Sequence, residues 1–171
     1  MTSATTKLKG TRDRLQNQIP PGDKTTMEVD GAYSFRHNIA AYGGVIKSAG
    51  MTALEGFMMK IDATDSLVAE LWGCLVGLKR AWDANYREII LRTNSVEAIE
   101  LIYGESNDMH EDWVLISEIK EMINRDWHVE IHHIDRQNNG HADTLAKKAL
   151  NGAFGLQILG PNALSYILSS V

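Results

Sequence analysis

Residues 25–61 read TTMEVDGAYSFRHNIAAYGGVIKSAGMTALEGFMMKI, and this stretch decides the fold. From Thr25 the apolar positions alternate as they do in a half-buried strand, and Ile39 to Lys47 and Leu54 to Ile61 give two further strand-like runs. Breaks rich in Gly, Ser and Asn separate them. Consecutive strands joined so closely pair as an antiparallel meander. The period then changes: Asp65 or Ser66 can cap a helix, and Leu67, Leu71, Cys74, Leu75, Leu78 and Trp82 recur at spacings of three and four. Gly73 and Gly77 cost that helix about 1 kcal/mol each, which makes sense if its backbone must lie close against a sheet.

Strands and helices alternate from there. Residues 87–93 (REIILRT) read as a strand ending at Asn94, Ser95 to Tyr103 as a helix with Val96, Ile99 and Ile102 on one face, and Trp113 to Ile123 as another helix. His128 to Ile134 reads as a strand and Asn139 to Leu150 as a last helix stopped by Asn151-Gly152. The pattern predicts an α/β fold with a five-stranded mixed sheet flanked by helices. Residues 1–24 are polar and broken by Pro20-Pro21-Gly22, and read as a flexible arm or linker. Residues 25–152 form the domain, and residues 153–171 a tail that packs on it.

At 171 residues and 44% hydrophobic content, the chain suits one ordinary core. A formal net charge of -5 excludes a protein that holds nucleic acid by bulk positive charge, so any such contact is local or bridged by metal ions. Cys74 is the single cysteine, which excludes an intrachain disulfide and a Cys-based zinc cluster. No run reaches the roughly 18 apolar residues of a membrane span, and the first residues lack a secretion signal's apolar stretch. The expectation is an intracellular protein, nuclear or cytoplasmic, with no membrane partner.

The chemistry rests on acids in unusual places. Asp30 sits inside the first strand, where a carboxylate is disfavoured and costly when buried alone. Glu70 borders the apolar face of the first long helix. Asp143 lies in the first turn of the last helix, where its charge also favours the helix dipole. A solvent-facing Asp30, an ordinary surface Glu70 and a dipole-stabilising Asp143 are the bland readings of each. Together with Asn94, directly after its strand, they can converge on one sheet edge, the arrangement of oxygen ligands that divalent cations in phosphodiester hydrolysis require.

Four strings carry a resemblance: PPGDKTTMEVDGA at 20–32, AELWG at 69–73, LRTNSVEAI at 91–99 and HIDRQNNGHADTLA at 133–146. In this order they resemble the ribonuclease H domains, most closely the plant group attached to non-LTR retrotransposon reverse transcriptases, over about residues 20–165. The resemblance implies a ribonuclease H-like fold and a site binding two Mg²⁺ or Mn²⁺ ions that cuts the RNA strand of an RNA–DNA hybrid. It implies that Asp30 bridges both ions, that Glu70 serves the ion near the leaving group, and that Asp143 serves the ion that prepares the water. The family's remaining carboxylate falls on Asn94, which keeps one neutral carbonyl oxygen, so metal affinity and rate are expected to fall. Asn94 also reads as a helix N-cap, with Glu97 three places later as in a capping box.

Arg136, Asn138 and Asn139 are candidates for phosphate contacts, and Ser34, Arg36, His37 and Asn38 for 2′-hydroxyls in the hybrid's minor groove. Asp108, Glu111, Asp112, Glu118 and Glu121 on or beside the Trp113 helix are expected to repel nucleic acid there. The alternative is a catalytically inactive nucleic-acid-binding or protein-interaction domain, with a fusion or protein partner reached through the N-terminal arm.

Overall fold

The computed structural model describes residues 5–7, 24–105 and 109–169, so Asp108 lies outside the described residues. Its elements are β1 (Thr5–Lys7), β2 (Thr25–Ser34), β3 (Ile39–Lys47), β4 (Ala53–Ile61), α1 (Ser66–Asp83), β5 (Glu88–Thr93), α2 (Val96–Tyr103), α3 (Trp113–Ile123), β6 (His128–His133), α4 (Gly140–Leu150), β7 (Gln157–Leu159) and α5 (Pro161–Leu168). A short 3-10 turn, Arg136–Asn138, precedes α4. β2, β3 and β4 form the antiparallel meander expected from their alternation, while β2, β5 and β6 pair in parallel.

The five expected strands are present, but among the described residues the sheet has seven, in the order β1-β6-β5-β2-β3-β4-β7. The two additions are three-residue strands at opposite edges, too short for alternation to reveal. β1 falls within the stretch read as an arm and pairs antiparallel with β6, and the rest of that stretch up to residue 23 lies outside the described residues. β7 pairs with β4, and Leu164 of α5 is buried beside it in the tail.

Two apolar layers hold the sheet. Met27 and Val29 of β2, Tyr42 of β3 and Phe57 of β4 pack with Leu71, Cys74, Leu75 and Leu78 of α1 and with α2 and α3. On the other face Ala41, Val45 and Met58 pack with Leu145 and Ala149 of α4 and Leu164 of α5. The glycines of α1 have the expected role: a methyl on Gly73 would lie 2.6 Å from Val29 Cγ1, so the helix backbone rests directly on β2. Asp65 caps α1, its Oδ1 accepting from Val68 N at 2.9 Å. No described helix is long and apolar enough to cross a membrane.

Candidate active site

The parallel register of β2 with β5 runs from Thr25↔Ile89 to Glu28↔Arg92, after which β5 ends at Thr93 and β2 continues to Ser34. Extending the register by two residues sets Asp30 opposite Asn94. The site therefore opens at the carboxyl ends of parallel strands, where open α/β sheets place their ligands. α1 approaches from one side. A Cβ on Gly31 would lie 2.6 Å from Ser66 O and 2.7 Å from Glu70 N, so the missing side chain lets the start of α1 carry Glu70 to the strand. α4 crosses the other face and brings Asp143.

Asp30 of β2, Glu70 of α1, Asn94 just after β5 and Asp143 of α4 line one open cleft of about 540 Å³, with Arg136 and Lys147 among its other walls. Asp30 is 6% exposed and Glu70 3%. Burial, then the charge of Asp143 and a hydrogen bond to it, push the Asp30 carboxyl up to about 7, against the Gly31 N–H and the Arg136 charge. Burial pushes Glu70 up to about 8, opposed by hydrogen bonds from the Thr93 hydroxyl and Gly31 N–H and reinforced by the charge of Asp30. Asp143 Oδ2 meets Lys147 Nζ at 2.9 Å, one helical turn on. Among the described residues, no three His, Cys, Asp or Glu side chains form a group placed to hold a metal ion. Asp30 and Asp143 are the adjacent pair of acids.

Asn94 does not cap α2. Ser95 does, its Oγ accepting from Ala98 N at 3.1 Å, because Ser95 is the last extended residue before the helix. Asn94 Oδ1 instead accepts from Asn139 Nδ2 at 3.0 Å, and the same Nδ2 donates to Val29 O at 2.8 Å. Asn139 is fully buried, which corrects its reading as a phosphate contact. The reason is backbone accounting: the β2–β5 ladder has ended by Val29, and the side chain supplies the donor that its carbonyl would otherwise lack.

The other predicted contacts divide. Arg136 lines the cleft, whereas Asn138 is exposed in the turn beside it, its N–H donating to Asp135 O. Ser34, Arg36 and Asn38 belong to the β2–β3 hairpin and are absent from the cleft walls, although Tyr33 is among them. Ser34 Oγ accepts from His37 N at 3.3 Å, and Asn38, at φ 49, accepts the Tyr33 hydroxyl at 2.6 Å. Both therefore act within the hairpin. Gly31 gives the room for a close backbone approach that the sequence suggests, whereas Thr93 and Lys147 carry no sequence signal of their own. The spacing of Lys147 from Asp143 could have identified that pair, since residues four apart share a helix face.

The reverse transcriptase-like family profile matches residues 28–149. An Arabidopsis thaliana protein presumed to be a ribonuclease H is 29% identical over 144 residues, 83% of this chain and 23% of its own length. The chain thus spans under a quarter of that relative. Among solved structures, ribonuclease H1 of the halophilic archaeon Halobacterium salinarum is 26% identical, with a TM-score of 0.63 over 76% of this chain and 99% of the other. The LC11 ribonuclease H1 from compost, solved with an RNA/DNA hybrid, shares the fold at 22% identity, with a TM-score of 0.62 over 75% and 97% of the two chains.

Proposed function

Since this chain belongs to the reverse transcriptase-like family and its domain is ribonuclease H-like, we propose that its cleft binds an RNA–DNA hybrid and is built to hydrolyse the RNA strand, with Asn94 weakening that hydrolysis. The observation that carries the proposal is the convergence of Asp30, Glu70, Asn94 and Asp143 on one cleft from four segments separated in sequence. A ribonuclease H1 of the same fold was solved holding such a hybrid.

Mg²⁺ or Mn²⁺ is the cofactor this chemistry requires. The donor set fits one cation: Asp30 and Asp143 lie close enough to share a hydrogen bond, and their charges oppose each other's ionisation. It fits a second cation less well, because among the described residues no third acid is grouped with that pair and Asn94 offers only a neutral amide oxygen that already accepts from Asn139. When bound, such an ion stabilises charge on a phosphoryl oxygen and makes water a better nucleophile. Asp30 and Asp143 would hold it, Gly31 N–H would orient Asp30, and Thr93 would orient Glu70. Arg136 brings positive charge to a phosphate at the rim. Relative to an aspartate at the same place, Asn94 removes one negative charge from the site, with a rate loss of about a hundredfold or more.

A labelled RNA–DNA hybrid incubated with Mg²⁺ or Mn²⁺ tests the reading, using the chain as it stands beside Asn94→Asp. Binding by both, with faster cutting of the RNA strand by Asn94→Asp, is the expected result. Binding with cutting by Asn94→Asp alone favours the second reading, an inactive hybrid-binding domain. No binding and no cutting by either overturns both.

A further inference from the structure

The hydrogen bonds around Asn139 decide which atom Asn94 offers to the cleft. Val29 contributes a carbonyl, which can only accept, so the Asn139 group 2.8 Å from it must be the amide nitrogen. That nitrogen also lies 3.0 Å from Asn94, and the Asn94 atom receiving it must therefore be its oxygen. Turning Asn139 over would set its oxygen against two acceptors. The structure accepts a penalty to avoid this: Asn139 Oδ1 is buried with no hydrogen-bond partner. Such a chain of constraints fixes two amides that are otherwise ambiguous about which end is which.

Asn94 is half-buried and lines the cleft, and its oxygen is turned toward the fully buried Asn139. Its Nδ2, on the other arm of the planar amide, is the atom left for a ligand. Resting on the hybrid-binding reading above, we propose that Asn94 is a hydrogen-bond donor to a phosphate oxygen of the bound nucleic acid, oriented for that task by Asn139, and not a neutral substitute for a metal ligand. Arg136 adds positive charge to the same walls, and Lys147 is paired there with Asp143. A cleft with these donors can hold a phosphodiester without a cation, an interaction that an aspartate at residue 94 would oppose.

Hybrid affinity measured by fluorescence polarisation, first in EDTA and then in Mn²⁺, separates the two roles. Asn94→Asp keeps an oxygen for Asn139 but replaces the outward donor with a negatively charged acceptor, whereas Asn94→Leu removes the donor without adding charge, so the loss in Asn94→Leu reports the donor itself. In EDTA, Asn94→Asp is expected to bind about tenfold or more weaker than the parent, and Asn94→Leu about tenfold weaker, the effect of losing a donor to a charged oxygen. In Mn²⁺ the order of parent and Asn94→Asp reverses, a crossing that a purely structural role would not produce. The side-chain amide ¹⁵N–¹H₂ signals of Asn94 shift on addition of hybrid, while those of Asn139 stay fixed and protected from exchange. Equal affinities of the parent and Asn94→Asp in EDTA, or an unshifted Asn94 amide, overturn the donor role alone. A parent that binds no hybrid in EDTA or in Mn²⁺ overturns the hybrid-binding reading as well.

Discussion

Glu28 and Asp30 lie two residues apart on the same face of β2, 4% and 6% exposed, yet their surroundings treat them in opposite ways. Lys47 Nζ, on β3 opposite Thr26, reaches diagonally to Glu28 Oε1 at 2.9 Å and Oε2 at 3.1 Å. Asp30 instead faces another acid, Asp143, and burial first, then that neighbour's charge, push its carboxyl up to about 7 against the charge of Arg136. One carboxylate is paired into the fold and the other is left wanting positive charge. Burial alone therefore does not mark a site; the missing partner does.

The largest effect should come from breaking the paired side of this contrast. Lys47→Met leaves Glu28 as a buried carboxylate without a partner and should lower stability by about 3–5 kcal/mol in urea unfolding, while Glu28→Leu/Lys47→Met should recover most of the loss. The next effect comes from the unpaired side. Asp30 and Glu70 hold protons more tightly in the folded chain, at about 7 and 8 against ordinary values of 3.8 and 4.5. Their contribution is fully present below those ordinary values and is lost as pH rises through about 7 and then 8. Without metal, stability should fall by roughly 2–4 kcal/mol from pH 6 to pH 9. The double variant Asp30→Asn/Glu70→Gln should flatten that dependence, and Mn²⁺ should raise the unfolding midpoint more at pH 9 than at pH 6. A smaller effect tests how the acids are brought together: Gly31→Ala sets a methyl against Ser66 O and should cost about 1–3 kcal/mol, displacing Glu70 as it does so.

Much of this was readable from residue order. The alternation from Thr25 to Ile61 and the spacing of Leu67, Leu71, Leu75 and Leu78 define the meander and α1, because burial on one face imposes a period. β1 and β7 escaped because three residues cannot establish one. Asp30 stood out as an acid inside an apolar strand, and Glu70 and Asp143 gained meaning only together. Asn139 was misread because a polar residue beside a turn ordinarily faces water. Its burial follows from the end of the β2–β5 ladder at Val29, a fact of pairing that residue order does not carry. The cap on α2 was assigned one residue early, to Asn94, for a related reason: Asn and Ser cap almost equally well, and only the backbone shows which residue precedes the first turn.

The contrast between the two acids is also the most direct test of the account, in an Asn94→Asp background with Mn²⁺ and a labelled RNA–DNA hybrid. Adding Asp30→Asn should slow cutting of the RNA strand by about a hundredfold or more. Adding Glu28→Leu/Lys47→Met should leave the rate within several-fold of its parent. An Asp30→Asn protein that cuts as fast as its parent would contradict the assignment of the cleft.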